Sequence, residues 1–118
     1  MSYDIYLCDP ITKETLELDE PHFMQGGTYC MNGTTELHIN ITYNYAKFYK
    51  RILGAEGIRL IYGQLAADTI PLLEQCVSQL ADDITDNYWD PTEGNAKAAL
   101  YQLLALAKMR PDGVWKGD

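Results

Sequence analysis

The stretch "TELHINITYNYAKFYKRILG" (residues 35–54) changes its period in the middle, and that change decides the fold class. In "TELHINITY" (35–43), Leu37, Ile39, Ile41 and Tyr43 fall on one face and Glu36, His38, Asn40 and Thr42 on the other. Such alternation describes a strand with one face on a core and the other wet or in polar contact. From Asn44 onward the spacing turns helical. Tyr45, Phe48, Tyr49 and Ile52 share a face, Asn44 is placed to cap the first turn, and Gly54 is placed to stop the helix.

Toward the N-terminus the period stays at two. Tyr3, Ile5 and Leu7 of "SYDIYLCD" align on one face, "DPITKE" supplies a turn, and Leu16 and Leu18 of "TLELDE" follow in phase, which predicts a hairpin. The segment 21–35 is punctuated by Gly26-Gly27 and Asn32-Gly33 and reads as an irregular loop or a loop with a short strand around Tyr29. Toward the C-terminus, "AEGIRLIYGQL" (55–65) reads as irregular or as a helical turn. "ADTIPLLEQCVSQLAD" (67–82) predicts a second helix with Asp68 or Thr69 as cap, Pro71 in the first turn, and Ile70, Leu73, Val77 and Leu80 as the buried stripe.

The third helix is predicted from "DPTE" through "GNAKAALYQLLALAKMR". Asp90 at the cap, Pro91 next and Glu93 at the third position form a capping box, and Ala96, Leu100, Leu103, Leu104 and Ala107 line one face. Lys108 and Arg110 complement the helix dipole and Pro111 ends the helix. Strands followed by helices, without β-α alternation, predict a single α+β domain over residues 1–118: a small antiparallel N-terminal sheet of about three strands packed by about three C-terminal helices.

Composition narrows the functional classes. The chain carries 17 acidic and 9 basic residues, a net charge of −8, which disfavours direct binding to nucleic acid or anionic membranes. A basic, nucleic-acid-binding protein would find such a chain attractive. Hydrophobic residues at 47% and charged residues at 22% are ordinary globular values, so the fold needs no cofactor as a staple. Cys8, Cys30 and Cys76 are widely spaced with no CxxC pair, and the N-terminus lacks the basic and apolar regions of a leader. The expected location is a reducing cytosol.

Catalytic signatures are weak. His22 and His38 sit in no nucleophile–base motif, and a hydrogen-bonded surface histidine is the simpler reading of each. Asp82, Asp83, Asp86, Asp90 and Glu93 form the densest carboxylate cluster, but Tyr88 and Trp89 interrupt any calcium-loop register. A solvated acidic turn fits them better than a metal site. Gly26-Gly27 lacks the further glycines of a phosphate loop.

Two surfaces remain. The first joins Asp82, Asp83 and Asp86 to Tyr88 and Trp89, an acidic rim around aromatic anchors of the kind that grips a protein partner. Here Trp89 precedes the expected cap Asp90 and has only Gly94 to face, so its indole lacks the usual hydrophobic staple. The second joins Lys47, Lys50, Arg51 and Arg59 as phosphate ligands to Tyr43 or Trp89 for stacking and Asn44 or Asn95 for hydrogen bonds, with the free donors of the third helix as an added anion site. Nine tyrosines add material for either use, and Trp115, at an element boundary, is expected to be partly exposed.

The combination of "SYDIYLCDP" (2–10), "HINITYNY" (38–45) and "NYWDPTEGNAKAALYQLLALAKMRPDGVW" (87–115) resembles a family of small proteins encoded by phages and prophages of Gram-positive, often gut, bacteria. The resemblance covers nearly the whole chain. It implies a phage or mobile-element setting and carries no catalytic or binding residues with it. In that setting the expectation is a non-enzymatic accessory protein without cofactors or metal. It would inhibit a host defence protein in the manner of an anti-CRISPR, or alternatively sequester a nucleotide or other anion, and homodimerisation is a further expectation.

Overall fold

A computed structural model describes residues 2–23 and 32–118. The expected loop glycines Gly26-Gly27, the strand around Tyr29 and Cys30 lie outside the described residues. The architecture is α+β, with strands β1 (Ser2–Cys8), β2 (Glu17–His22), β3 (Thr34–Glu36), β4 (His38–Thr42) and β5 (Val114–Gly117), and helices α1 (Ala46–Leu53), α2 (Ala66–Ser78) and α3 (Glu93–Met109). None of these helices is long and apolar enough to cross a membrane.

β1 is the centre of a three-stranded antiparallel sheet in the order β4-β1-β5. Its period-two pattern buries Tyr3, Ile5 and Leu7 on the same side as Leu37, Ile39 and Ile41 of the β4 region and Trp115 of β5. This face meets Tyr45, Phe48 and Tyr49 from the α1 region, Leu73, Cys76 and Val77 from α2, and Leu100, Leu103 and Leu104 from α3 in one core. The helical stripes are therefore where their spacing puts them. The ambiguous segment after Gly54 contains a 3-10 turn over Gly57–Ile61 that buries Ile58 and Ile61.

Several local expectations are corrected. The hairpin of β1 with the strand after it does not form beyond a single bridge at Cys8 and Thr15; β2 pairs instead with β3 in a separate two-stranded sheet. The ladder positions on both sides of β1 are taken by β4 and β5, which bring buried Ile39, Ile41 and Trp115. Trp115 is only 1% exposed, not partly exposed, and its indole N–H donates to Thr69 Oγ1 at 2.9 Å. Thr69 is thus no cap: its hydroxyl donates to the Ala66 carbonyl, and α2 begins after Leu65. Asp68 falls within the first turn and Pro71 inside the helix beyond it.

Asn44 is not the cap of α1. Thr42 Oγ1 accepts from Asn44 N at 3.2 Å and starts a 3-10 turn (Tyr43–Tyr45) that feeds α1, because the last strand residue already carries the capping hydroxyl. The capping box also moves. Thr92, not Asp90, caps α3 by accepting from Asn95 N at 3.1 Å, because the Asp90 carboxylate is engaged by Thr85 and Asn87.

Candidate functional site

Residues 81–92 join α2 to α3 without regular structure, so their backbone groups need partners from elsewhere. Asn95, 5% exposed in the first turn of α3, supplies many of them. Its Oδ1 accepts from Thr85 N at 3.0 Å, and its Nδ2 lies 3.0–3.1 Å from Thr85 Oγ1, Asn87 O and Asp90 O. One buried amide thereby folds the loop over the start of the helix. Asp83 completes this by accepting from Gly94 N at 2.9 Å, and the loop backbone comes so close that a Cβ on Gly94 would stand 2.5 Å from Ile84 N.

Tyr88 is the second fastener. Its Oη accepts from Thr42 N and donates to Asn40 O, each at 3.0 Å, while its own carbonyl accepts from the Tyr45 hydroxyl. Burial, then the proximity of Tyr88 and Asp90, holds the Tyr45 hydroxyl well above the ordinary phenol range, so it stays a donor. The half-buried Tyr88 ring packs edge-on against Tyr45 at 5.5 Å and Trp89 at 4.9 Å.

Trp89 is held at the backbone, and its ring, in edge contact with Tyr88, is half in solvent. Its N–H donates to Asn87 Oδ1 at 3.1 Å and its carbonyl accepts from Asn44 Nδ2 at 2.8 Å, yet the residue is 49% exposed. Ile84, five residues earlier on the loop, is exposed as well, and a cleft of about 220 Å³ opens between loop and helix, lined by Ile84, Asp86, Tyr88, Asn95, Ala98 and Gln102 among others.

The acidic residues divide by use. Asp82 pairs with Lys97 Nζ at 2.7 Å, Asp83 holds Gly94, and Glu93 contacts Ala81 N and Arg51, so these carboxylates help to build the loop. Asp86 is exposed at the mouth of the cleft. The expected protein-binding set thus gathers on one loop, with a correction: Tyr88 supports Trp89 from behind and turns its hydroxyl inward.

Of the expected anion set, Arg59 and Tyr43 come together, and most of the other members have protein partners. Arg51 pairs with Glu93 at 3.1 Å, whereas Arg59 donates to the Asp118 carbonyl and to Tyr43 Oη and lies over the Tyr3 and Tyr43 rings. Lys47 sits 5.0 Å over the Phe48 ring, and Lys50 is exposed. Asn44 and Asn95 spend their amides on the loop, and the donors of Gly94 and Asn95 at the start of α3 are already taken by Asp83 and Thr92. The reading of that helix start as an open anion site is therefore corrected.

Sequence reasoning missed a polar ladder on the sheet face away from the helices. Asp4 Oδ1 lies 2.9 Å from Asn40 Nδ2 and 3.3 Å from His38 Nε2, and the His38 ring stacks on Tyr6 at 4.4 Å. The alternation in both strands already placed these four residues outward, but only their register makes them neighbours. Ser2 Oγ accepts from Asn40 Nδ2 at 2.7 Å. No protein-family model, curated protein or solved structure matches the chain.

Proposed function

We propose that this chain is a non-enzymatic phage or prophage accessory protein that binds a basic host protein through the loop 81–90, with Trp89 as the anchor and Asp86 at its rim. The observation that supports this is Trp89 itself. An indole left half in solvent, on a backbone already hydrogen-bonded at both N–H and C=O and with one ring edge against Tyr88, is a side chain whose backbone has no ordering cost left to meet on binding. Rigid presentation of an aromatic lowers the ordering cost of association, and tryptophan is among the residues most enriched at binding hot spots. Net charge −8 and an exposed carboxylate three residues before the indole favour a basic partner, with electrostatics raising the association rate and selecting the surface. A nucleic-acid-binding defence protein has that character. Sequestration of a nucleotide has less support, since Arg51, Arg59 and the amides of Asn44 and Asn95 already have protein partners.

The test is affinity capture from host cells with the wild-type chain and with Trp89→Ala and Asp86→Lys, followed by a direct binding measurement on whatever wild type retains. Trp89→Ala should weaken that protein by roughly thirtyfold or more while leaving thermal stability nearly unchanged. Asp86→Lys should slow association in a salt-dependent way. Capture that is indifferent to Trp89 overturns the surface. A thermal shift with nucleotides, together with no captured protein, overturns the class in favour of a ligand binder.

A further inference from the structure

α3 is apolar over more of its circumference than the core uses. Ala96, Leu100, Leu103, Leu104 and Ala107 are buried, yet residues 98–107 contain no charge at all, so the outer side is uncharged too between Lys97 and the exposed Lys108. That side presents Tyr101, 53% exposed, and Met109, 45% exposed, with Ala105 midway between them in sequence. On a chain where 22% of residues are charged, a solvated helix face would be expected to carry some of them. Beside this ridge a cleft of about 360 Å³ runs between α2 and α3, lined by Glu74, Val77, Tyr101, Leu104, Ala105 and Lys108.

We propose that this face docks on a second copy of the chain, with α3 crossing its counterpart antiparallel about a two-fold axis at Ala105. In such an interface residue i meets j of the other copy and j meets i. Tyr101 and Met109 lie four residues to either side of Ala105, so the operation sets the Tyr101 ring of each copy against the Met109 side chain of the other, a thioether–aromatic contact made twice. Ala105 at the axis is small enough to let the two helices approach. The charges of the cleft obey the same symmetry. α2 runs antiparallel to α3, tied at its start by Ala66 N to Gly113 O and after its end by Lys97 Nζ to Leu80 O, so Glu74 stands alongside the middle of α3. The axis carries Lys108 of one copy toward Glu74 of the other. Neither residue is in an ion pair within the protomer, among the described residues. With Tyr101 and Met109 as its two large exposed apolar side chains, the face suits a weak dimer that dissociates on dilution. The two Trp89 loops lie at opposite ends of the paired helices and both remain open.

Sedimentation equilibrium over the micromolar to millimolar range tests this. Wild type should pass from monomer to dimer as concentration rises, and Tyr101→Lys, a change at an exposed position, should remain a folded monomer throughout. Glu74→Lys and Lys108→Glu should each dimerise several-fold more weakly, by roughly threefold to tenfold, since exposed pairs are weak. An equimolar mixture of these two variants should regain wild-type association, because a mixed dimer restores opposite charges at both contacts. A monomer at every concentration, a dimer indifferent to Tyr101→Lys, or a mixture no tighter than its single variants would overturn the proposal.

Discussion

Tyr88 Oη lies 3.0 Å from Thr42 N, and the same oxygen donates to Asn40 O, so a loop hydroxyl occupies ladder positions that a further strand would take beside β4. An open edge is a template for unwanted pairing, and here it is covered by the element that also presents Trp89. Binding surface and sheet edge are thereby tied together. Tyr88→Phe keeps the ring between Tyr45 and Trp89 but removes the bridge. The expected cost is about 1–2 kcal/mol in urea unfolding, with faster amide exchange at Thr42. Exchange at Thr42 unchanged from wild type would show that water replaces the hydroxyl without loss.

Asn95→Ala separates loop order from loop composition. It leaves Trp89 and Asp86 in place but deprives Thr85 N of its acceptor and the Asn87 and Asp90 carbonyls of a donor. Stability should fall by about 1–3 kcal/mol. Partner affinity should fall as well, although Asn95 is buried, because the indole then has to be ordered on binding. Equal affinity for Asn95→Ala and wild type would mean that the partner organises the loop itself.

Gly94→Ala tests the close approach of the loop to α3. The added methyl meets Ile84 N at 2.5 Å and Asp83 N at 2.7 Å, and these are backbone atoms that no rotamer change can clear. A helix-favouring substitution is thus expected to destabilise, by about 1–3 kcal/mol, by the overpacking mechanism. Thermal denaturation checks the sign. A gain in melting temperature would refute the contact.

The layers of the fold were legible because burial imposes a period: β4 and the buried faces of all three helices lie where apolar spacing placed them. What sequence could not convey was competition for partners. Leu16 and Leu18 alternate as a second hairpin strand should, but the place beside β1 goes to Val114–Gly117, nearly the whole chain away, which brings the larger Trp115. Asp90 has the spacing of a cap and loses that role to Thr92 because Thr85 and Asn87 already hold its carboxylate. Trp89 is half exposed, but the missing staple that drew attention to it does not apply, since Thr92 caps the helix and Trp89 does not adjoin the cap. Asn95 looked like a surface ligand because nothing local reveals that a loop folds back onto it.

Alkaline pH provides a test of the core as a whole. Burial pushes the Cys76 thiol up to about 11 from an ordinary 9, and burial likewise raises the phenols of Tyr49, Tyr45 and Tyr62 above the usual range near 10. Each of these groups is neutral when protonated, and its folded-state value lies above its unfolded one. The unfolded chain therefore loses its protons first as pH rises. The stability that burial confers is complete below about pH 9, where the thiol is protonated in both states, and declines between 9 and 11 as the unfolded thiol ionises. The tyrosines extend the decline above pH 10, each from its ordinary value toward its raised one. Urea unfolding at stepped pH should show midpoints falling from about pH 9 upward, with part of the tyrosinate absorbance appearing only together with unfolding. Cys76→Ala lowers stability at neutral pH through the cavity it leaves, yet its stability should fall less steeply than wild type between pH 9 and 10. Equal slopes for the two proteins in that interval would place the Cys76 thiol in water, contrary to its position in the core.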